Sequence, residues 1–224
     1  PAFNYRAIPN PDLESESSDG FDLGLRWQGE AASIRAAVFR TRYEDFIESK
    51  VRLGTDPVSG RILFQSQNLS ETVIEGFEAG WQVRFGGVLE NVETDGAVYQ
   101  ARGENKDNGQ PLNSVGPGQA VLGVSWVVPD GNYQLRLQAT LTDDWSERDE
   151  STGELFEPPG YATFDLFYSQ GLGKRMTVRA GLLNLTDRCY WNWTDVRGLA
   201  PDDPVIPYLA QAGRNFSLSL NMQW

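Results

Sequence analysis

Between Arg214 and Trp224 the chain alternates without a break. Phe216, Leu218, Leu220, Met222 and Trp224 share one parity, and Asn215, Ser217, Ser219, Asn221 and Gln223 share the other. A period of two over this length predicts a β-strand with one apolar and one polar face. The same signature recurs upstream, and helical periodicity is scarce. Phe21, Leu23, Leu25 and Trp27 alternate with Asp22, Gly24, Arg26 and Gln28. Phe77, Ala79, Trp81, Val83 and Phe85 alternate with Glu78, Gly80, Gln82 and Arg84. Further strands are predicted near 93–102, 120–128, 133–142, 162–168 and 176–182. The stretch 33–47 is less regular. Ile34, Ala36 and Val38 hold one parity while Ala37, Phe39, Thr41 and Tyr43 hold the other, which predicts a bulge that exchanges the faces. The reading is all-β: an antiparallel up-and-down meander of about nine strands.

The connections alternate in length. Segments 28–32, 86–91, 129–132 and 170–174 are short and rich in Gly, Pro, Asp and Asn, as tight turns require. Segments 50–63, 103–118, 146–160 and 186–213 are long. In a meander this places every short turn at one end and every long loop at the other. Transmembrane β-barrels have that asymmetry, and the chain stops on a strand at an aromatic residue. Trp27, Phe85, Trp126, Tyr133, Tyr168 and Trp224 lie near the short-turn end, while Tyr43, Trp145 and Tyr161 lie near the long loops. They are expected to form two interfacial belts. The polar parity carries Arg26, Glu78, Arg84, Arg136, Gln138 and Arg179. A barrel turns these residues into its lumen. A soluble sandwich shows them to water and buries the apolar face against a second sheet. Alternation by itself fits both; the loop asymmetry and the terminal aromatic favour the barrel.

Composition narrows the chemistry. The 224 residues carry a formal net charge of −12, so no nucleic-acid partner is expected. There is no histidine, which excludes a Ser-His-Asp triad, a Cys-His pair and a histidine zinc site within these residues. An enzyme is therefore not expected. The single cysteine, Cys189, excludes an internal disulfide and reads as a small half-buried residue. Residues 1–6 carry no leader signature, so an exported protein would be represented here in mature form or as a piece. Between Asp143 and Glu157 seven acids face one base, Arg148. That segment is a solvated loop on the simpler reading, or an acidic rim for a cation or basic partner on the sharper one.

Several stretches resemble one family. Asn10-Pro11-Asp12-Leu13 resembles the Asn-Pro-Asn/Asp-Leu box of TonB-dependent outer-membrane haem receptors. Ile74-Glu75-Gly76-Phe77-Glu78 resembles a strand found widely in TonB-dependent receptors. Ala101 to Asn105 with Gly109 to Val115, and Asn184 to Trp191 with Asp195 to Leu199 and Gly213 to Asn215, are similar to the haemoglobin/transferrin/lactoferrin receptor family. The resemblance covers nearly the whole chain. It implies that residues 1–224 are the C-terminal portion of a barrel of about 22 strands, with no plug domain present. It implies haem as transported ligand, and haem or a haem protein as partner at the extracellular loops. TonB would be engaged through an absent N-terminal region, and outer-membrane lipid would surround the barrel. Axial iron ligands in such receptors are usually histidines, one in the plug and one upstream of the box, and neither falls in this chain. Tyrosine serves as an axial ligand in some haem proteins, but Tyr5, Tyr43, Tyr161 and Tyr208 each read as interface or loop residues first.

The site residues expected are therefore Asn10, Pro11, Asp12 and Leu13 for ligand binding, and Phe216, Leu218, Leu220, Met222 and Trp224 for membrane insertion. No catalytic or metal site is expected. Two other functions compete: a receptor of the same build for a ferric siderophore or another nutrient, and a soluble all-β binding module.

Overall fold

A computed structural model describes residues 5–128, 132–151, 153–173 and 175–223. One ten-stranded sheet runs in the order β10-β9-β8-β7-β6-β5-β4-β3-β2, and every one of these neighbours is antiparallel. The strands are β1 (Tyr5–Ala7), β2 (Ser17–Gln28), β3 (Ala32–Thr55), β4 (Ile62–Arg84), β5 (Val92–Asn105), β6 (Gln119–Val128), β7 (Tyr133–Thr142), β8 (Tyr161–Leu172), β9 (Met176–Leu183) and β10 (Asn215–Met222). The expected nine are all present. The tenth, β1, lies parallel to the start of β4, with Tyr5 opposite Ile62 and Ala7 opposite Phe64. Sequence gave no sign of it, because three residues are too few to show a period. The sheet is open: β2 and β10 are its edges.

The register puts like with like. Phe164, Ala139, Leu122, Gly96, Trp81, Ile34 and Trp27 form one continuous row from β8 to β2. One residue further along, on the other face, runs Asp165, Gln138, Gly123, Asp95, Gln82, Ser33 and Gln28. The apolar face is the exposed one. Leu122, Val124, Trp126, Leu137 and Leu182 are all 40–50% exposed in the middle of the sheet. Ser125 and Thr163, on the polar face, are buried. Among the described residues no second sheet covers the leucines, as a sandwich would require. A face built this way suits hydrocarbon, not water. On it the Trp81 ring lies flat over Gly96, where any Cβ would collide with it.

The polar face is tied across strands. Arg136 on β7 reaches over β6 to Asp95 on β5, with Nη2 2.9 Å from Oδ2. Gly123 makes room for that reach, since a Cβ there would run into the guanidinium. Gln134 donates to the Ser125 hydroxyl at 3.1 Å. Phe39 faces the same side and stacks on Tyr99, with centroids 6.5 Å apart.

Three expectations change here. The irregular parity near 33–47 is no bulge; the register shifts fall higher, between Glu48 and Val51 and between Arg52 and Gly54. Segment 50–63 is mostly strand, because β3 and β4 continue to a tight turn at 56–61. With 24 residues, β3 is about 80 Å long at ~3.3 Å per residue, far more than the ~10 residues that cross a membrane. Its second half stands beyond the apolar rows. Lastly, Cys189 is exposed.

The aromatics divide. Trp126, Tyr133 and Tyr168 form a contiguous cluster at the short-turn end, with centroids 6.1 and 6.3 Å apart. Trp27 and Phe85 are exposed at the same level. Trp145 is not a belt residue: it is buried at 2% exposure, donates Nε1–H to the Val115 carbonyl and packs on Trp193. The terminal strand is fully exposed, with Phe216, Leu218, Leu220 and Met222 on one face. Trp224 lies outside the described residues, as does most of the predicted turn 129–132. No helix among the described residues is long and apolar enough to cross a membrane.

Leu137 sits mid-row between Val124 and Leu166. In the full-length protein reconstituted in lipid, Leu137→Arg is expected to lower unfolding free energy by about 2–4 kcal/mol. Denaturant titration in liposomes measures it. An unchanged midpoint would mean that this face does not meet lipid.

Candidate functional site

Apart from Val73 and Ala101, within β4 and β5, the buried hydrophobic residues among those described are not in the sheet's middle. Ile62, Phe64, Leu112, Trp145, Leu155, Val196, Leu199 and Ile206 all lie at the long-loop end. There the loops pack on one another. Val196, Leu199 and Ile206 form the centre, and Phe156, Trp191, Val205 and Leu209 pack around it. A short α-helix, α1 (Trp193–Val196), and a 3-10 turn (Ile206–Leu209) carry these residues. Trp191 donates Nε1–H to the Ile206 carbonyl at 2.8 Å, and the Phe156 N–H reaches the Leu199 carbonyl at 2.8 Å. This second stitch joins loop 143–160 to loop 184–214.

Arg197 gathers three segments. Its Nη2 donates to Ser49 Oγ at 2.9 Å on β3, its Nη1 to the Asn113 carbonyl at 3.5 Å, and its guanidinium lies 5.5 Å from the Trp193 ring centroid. Asn113 in turn exchanges two hydrogen bonds with the backbone of Asp149, at 2.9 and 2.8 Å. Lys50 Nζ donates to the Thr194 carbonyl at 3.3 Å. Gly198 follows with a φ of +82°, and a Cβ there would press on Phe64. A left-handed turn against an aromatic ring explains glycine at this position.

Glu48 sits in the same cluster, 7% exposed. Its Oε2 accepts the Ser114 hydroxyl at 2.6 Å, while Oε1 is buried without a partner, as is Arg197 Nε. Burial raises the Glu48 carboxyl above its ordinary 4.5, against the pull of the Ser114 hydrogen bond and Arg197; Asp149 adds to the rise. Burial also lowers Arg197 and Lys50 from their usual values. The cavity beside them is about 220 Å³, lined by Glu48, Lys50 and Arg52 together with Leu69, Leu112 and Leu155.

The Asn10–Leu13 segment lies apart from this cluster, as a strap. The Ile8 N–H bonds the Phe64 carbonyl at 2.9 Å, and Asn10 Nδ2 bonds the Ser66 carbonyl at 3.0 Å. Asn10 Oδ1 accepts the Asp12 N–H at 3.1 Å, which turns the chain. Asn68 holds Glu14 through both its side-chain atoms, at 2.9 and 3.0 Å, and Glu16 accepts the Ile47 N–H at 3.0 Å. The segment thus crosses the β3–β4 hairpin from β4 to β3 before becoming β2. Pro11, Asp12 and Leu13 are exposed on it.

The acidic stretch 143–157 is organised around its one base. The Arg148 side chain is 12% exposed and pairs with Glu150 at 3.0 Å and Glu157 at 3.1 Å. Among the described residues no three acidic, histidine or cysteine side chains are grouped as a metal site. Of the candidate tyrosines, Tyr43 packs on Phe46 and Tyr161 on Tyr190, Tyr5 on Phe64, and Tyr208 is 77% exposed. The structure does not bring them together. Sequence reading quoted Arg197 as part of a motif without assigning it a role, and it passed over Glu48, which has no distinctive neighbours in sequence.

Residues 1–185 match a family model described as TonB dependent receptor-like, beta-barrel. Haemoglobin-haptoglobin utilization protein B of Neisseria meningitidis serogroup C is 28% identical over 89% of this chain and 28% of its own length. Haemoglobin and haemoglobin-haptoglobin-binding protein A of Haemophilus influenzae is 29% identical over 88% of the chain and 20% of its own. Lactoferrin-binding protein A of Neisseria meningitidis serogroup B is 24% identical over 96% and 26%. The chain therefore spans less than a third of the length of these relatives. Among solved structures, the copper transporter OprC superposes with a TM-score of 0.79 at 20% identity, over 95% of this chain and 32% of that one. A mutant of the ferric enterobactin receptor PfeA of Pseudomonas aeruginosa gives 0.71 at 20% identity, over 95% and 32%. These two likenesses concern the fold.

A carboxyl whose folded value is raised favours the folded state most when protonated. The stabilising share of Glu48 is complete below 4.5 and is lost as pH rises through the higher folded value. Glu48→Gln is therefore expected to slow amide exchange in 49–55, 113–115 and 193–199 at pH 7. The difference should vanish as pH falls toward 4.5. Faster exchange at pH 7 would show that the charge pairing with Arg197 outweighs desolvation.

Proposed function

The chain belongs to the TonB-dependent receptor β-barrel family, and from that premise we propose that it is part of an energised importer for haem, or for iron taken from a haem protein. Barrels of this family stand in the bacterial outer membrane, and the exposed apolar rows of this chain suit that place. The observation that carries the haem reading is the similarity to haemoglobin-haptoglobin proteins along 89% of the chain. Residues 1–224 are read as one uninterrupted portion of the barrel, and a plug and a TonB-engaging segment belong to the rest of the polypeptide.

The mechanism is binding and passage, without covalent chemistry. The loop cap has its own core, so it offers a partner protein an ordered surface and little conformational entropy is lost on docking. The strap residues Asn10, Pro11, Asp12 and Leu13 are read as ligand contacts, supported by the exposure of Pro11, Asp12 and Leu13 across the hairpin. The polar rows, with the Arg136–Asp95 pair, are read as lining the way inward. Phe216, Leu218, Leu220 and Met222 are read as the strand that enters lipid, with Trp224 after them.

A haem titration of the full-length polypeptide in detergent, followed at the Soret band, tests this. Saturable, stoichiometric binding with a shifted band is expected. No shift, with the barrel shown folded by circular dichroism, would remove haem and leave a receptor for another nutrient, such as a ferric siderophore.

A further inference from the structure

The β3–β4 hairpin ends in a turn that is unusually well built for what it presents. The Asp56 N–H bonds the Arg61 carbonyl and the Gly60 N–H bonds the Asp56 carbonyl, both at 2.8 Å. The Asp56 carboxylate accepts the Val58 N–H at 2.9 Å and the Ser59 hydroxyl at 2.8 Å. The ladder persists to the last pair, Thr55 opposite Ile62, and β1 flanks it on the far side of β4. Buried Ile62 and Phe64 anchor its base. Five interactions or more therefore fix a turn whose apex residue, Val58, is 94% exposed. Leu53, on the same hairpin, is 43% exposed, and Pro57 beside Val58 is exposed as well.

Charge at this tip runs against the rest of the chain. The whole carries −12, yet Arg6, Arg52 and Arg61 lie on the strands around the turn, and Asp56 is the one acid of segment 50–64. Arg52 and Arg61 form no ion pair among the described residues. Protein interfaces combine an apolar core with enriched arginine, and this tip presents both. Lipid is the wrong occupant. Thr55, the last residue of β3, stands 17 residues beyond Val38 on the outward apolar row, about 56 Å along the strand at ~3.3 Å per residue, and the turn that carries Val58 lies past it, outside the headgroup zone.

We propose that the tip of the β3–β4 hairpin, with Val58 and Leu53 at its centre and Arg6, Arg52 and Arg61 at its rim, is a preformed finger that docks on an acidic, shallowly apolar patch of a globular protein. The inference rests on the reading above and names the part of the cap that first meets the haem protein. Charge steers the approach, because oppositely charged surfaces raise the encounter rate and salt screens them. The rigid turn then inserts Val58 with little ordering cost.

The test uses the full-length receptor in detergent, immobilised, with haemoglobin as the probe protein and free haem as control. Val58→Glu, and Arg6→Glu with Arg61→Glu, are each expected to weaken haemoglobin binding by about tenfold or more. Both should leave the Soret titration with free haem and the circular dichroism spectrum unchanged. The double arginine variant should also lose most of the salt dependence of the association rate. Wild-type haemoglobin binding that both variants keep within about twofold would overturn the finger while leaving haem import standing. Wild-type receptor that takes up haem but ignores haemoglobin would overturn the finger too. Wild-type receptor that binds neither haem nor haemoglobin would sink the reading on which the finger rests.

Discussion

Inside a membrane no water is present to satisfy a backbone N–H or C=O, and each unpaired group there costs several kcal/mol. Everything else in this molecule follows from that constraint. It requires a ladder that continues from strand to strand, and β2 through β10 supply one. It requires side chains of opposite character on the two faces, and the rows through Trp81 and through Asp95 supply them. The open edges at β2 and β10 are unpaired donors and acceptors. In a membrane they call for partner strands, and that agrees with a chain spanning less than a third of its relatives.

The same constraint moves the hydrophobic core. A soluble domain buries its leucines beneath its sheet. In an outer-membrane barrel that place falls to lipid, and the packed apolar cluster of this chain is built at the long-loop end instead. Val196, Leu199 and Ile206 hold together loops that would otherwise splay in water. Arg197 and Glu48 add polar ties at the same spot, each with one buried atom unpartnered. Such a cluster specifies one arrangement of the loops at some cost in stability.

Much of this was legible in the sequence wherever two different solvents act on the two faces. Phe77 to Phe85 and Phe216 to Met222 reveal their strands because each parity meets one environment. The alternation fades beyond Tyr43, where both faces of β3 meet water or loop. That is why Lys50 to Leu63 reads as a loop although the hairpin continues through it. Trp145 misleads for a related reason: an aromatic near a strand end suits a membrane interface and a loop core equally well, and only packing against Trp193 decides. The family resemblance was carried by short stretches, among them Asp195 to Leu199. Its physical content, a guanidinium joining three segments, depends on contacts far apart in sequence that no spacing could disclose.

The central claim is that the apolar rows face lipid and the polar rows face the lumen. The most direct measurement is a spin-label scan of β7, from Gln134 to Leu141, in the full-length receptor in bilayers with Cys189 replaced by serine. Collision with lipid-soluble oxygen should peak at Leu135, Leu137, Ala139 and Leu141. Collision with a water-soluble nickel complex should peak, if anywhere, at Gln134, Arg136, Gln138 and Thr140. The opposite phase, or equal access of the nickel complex to both sets, would contradict the account.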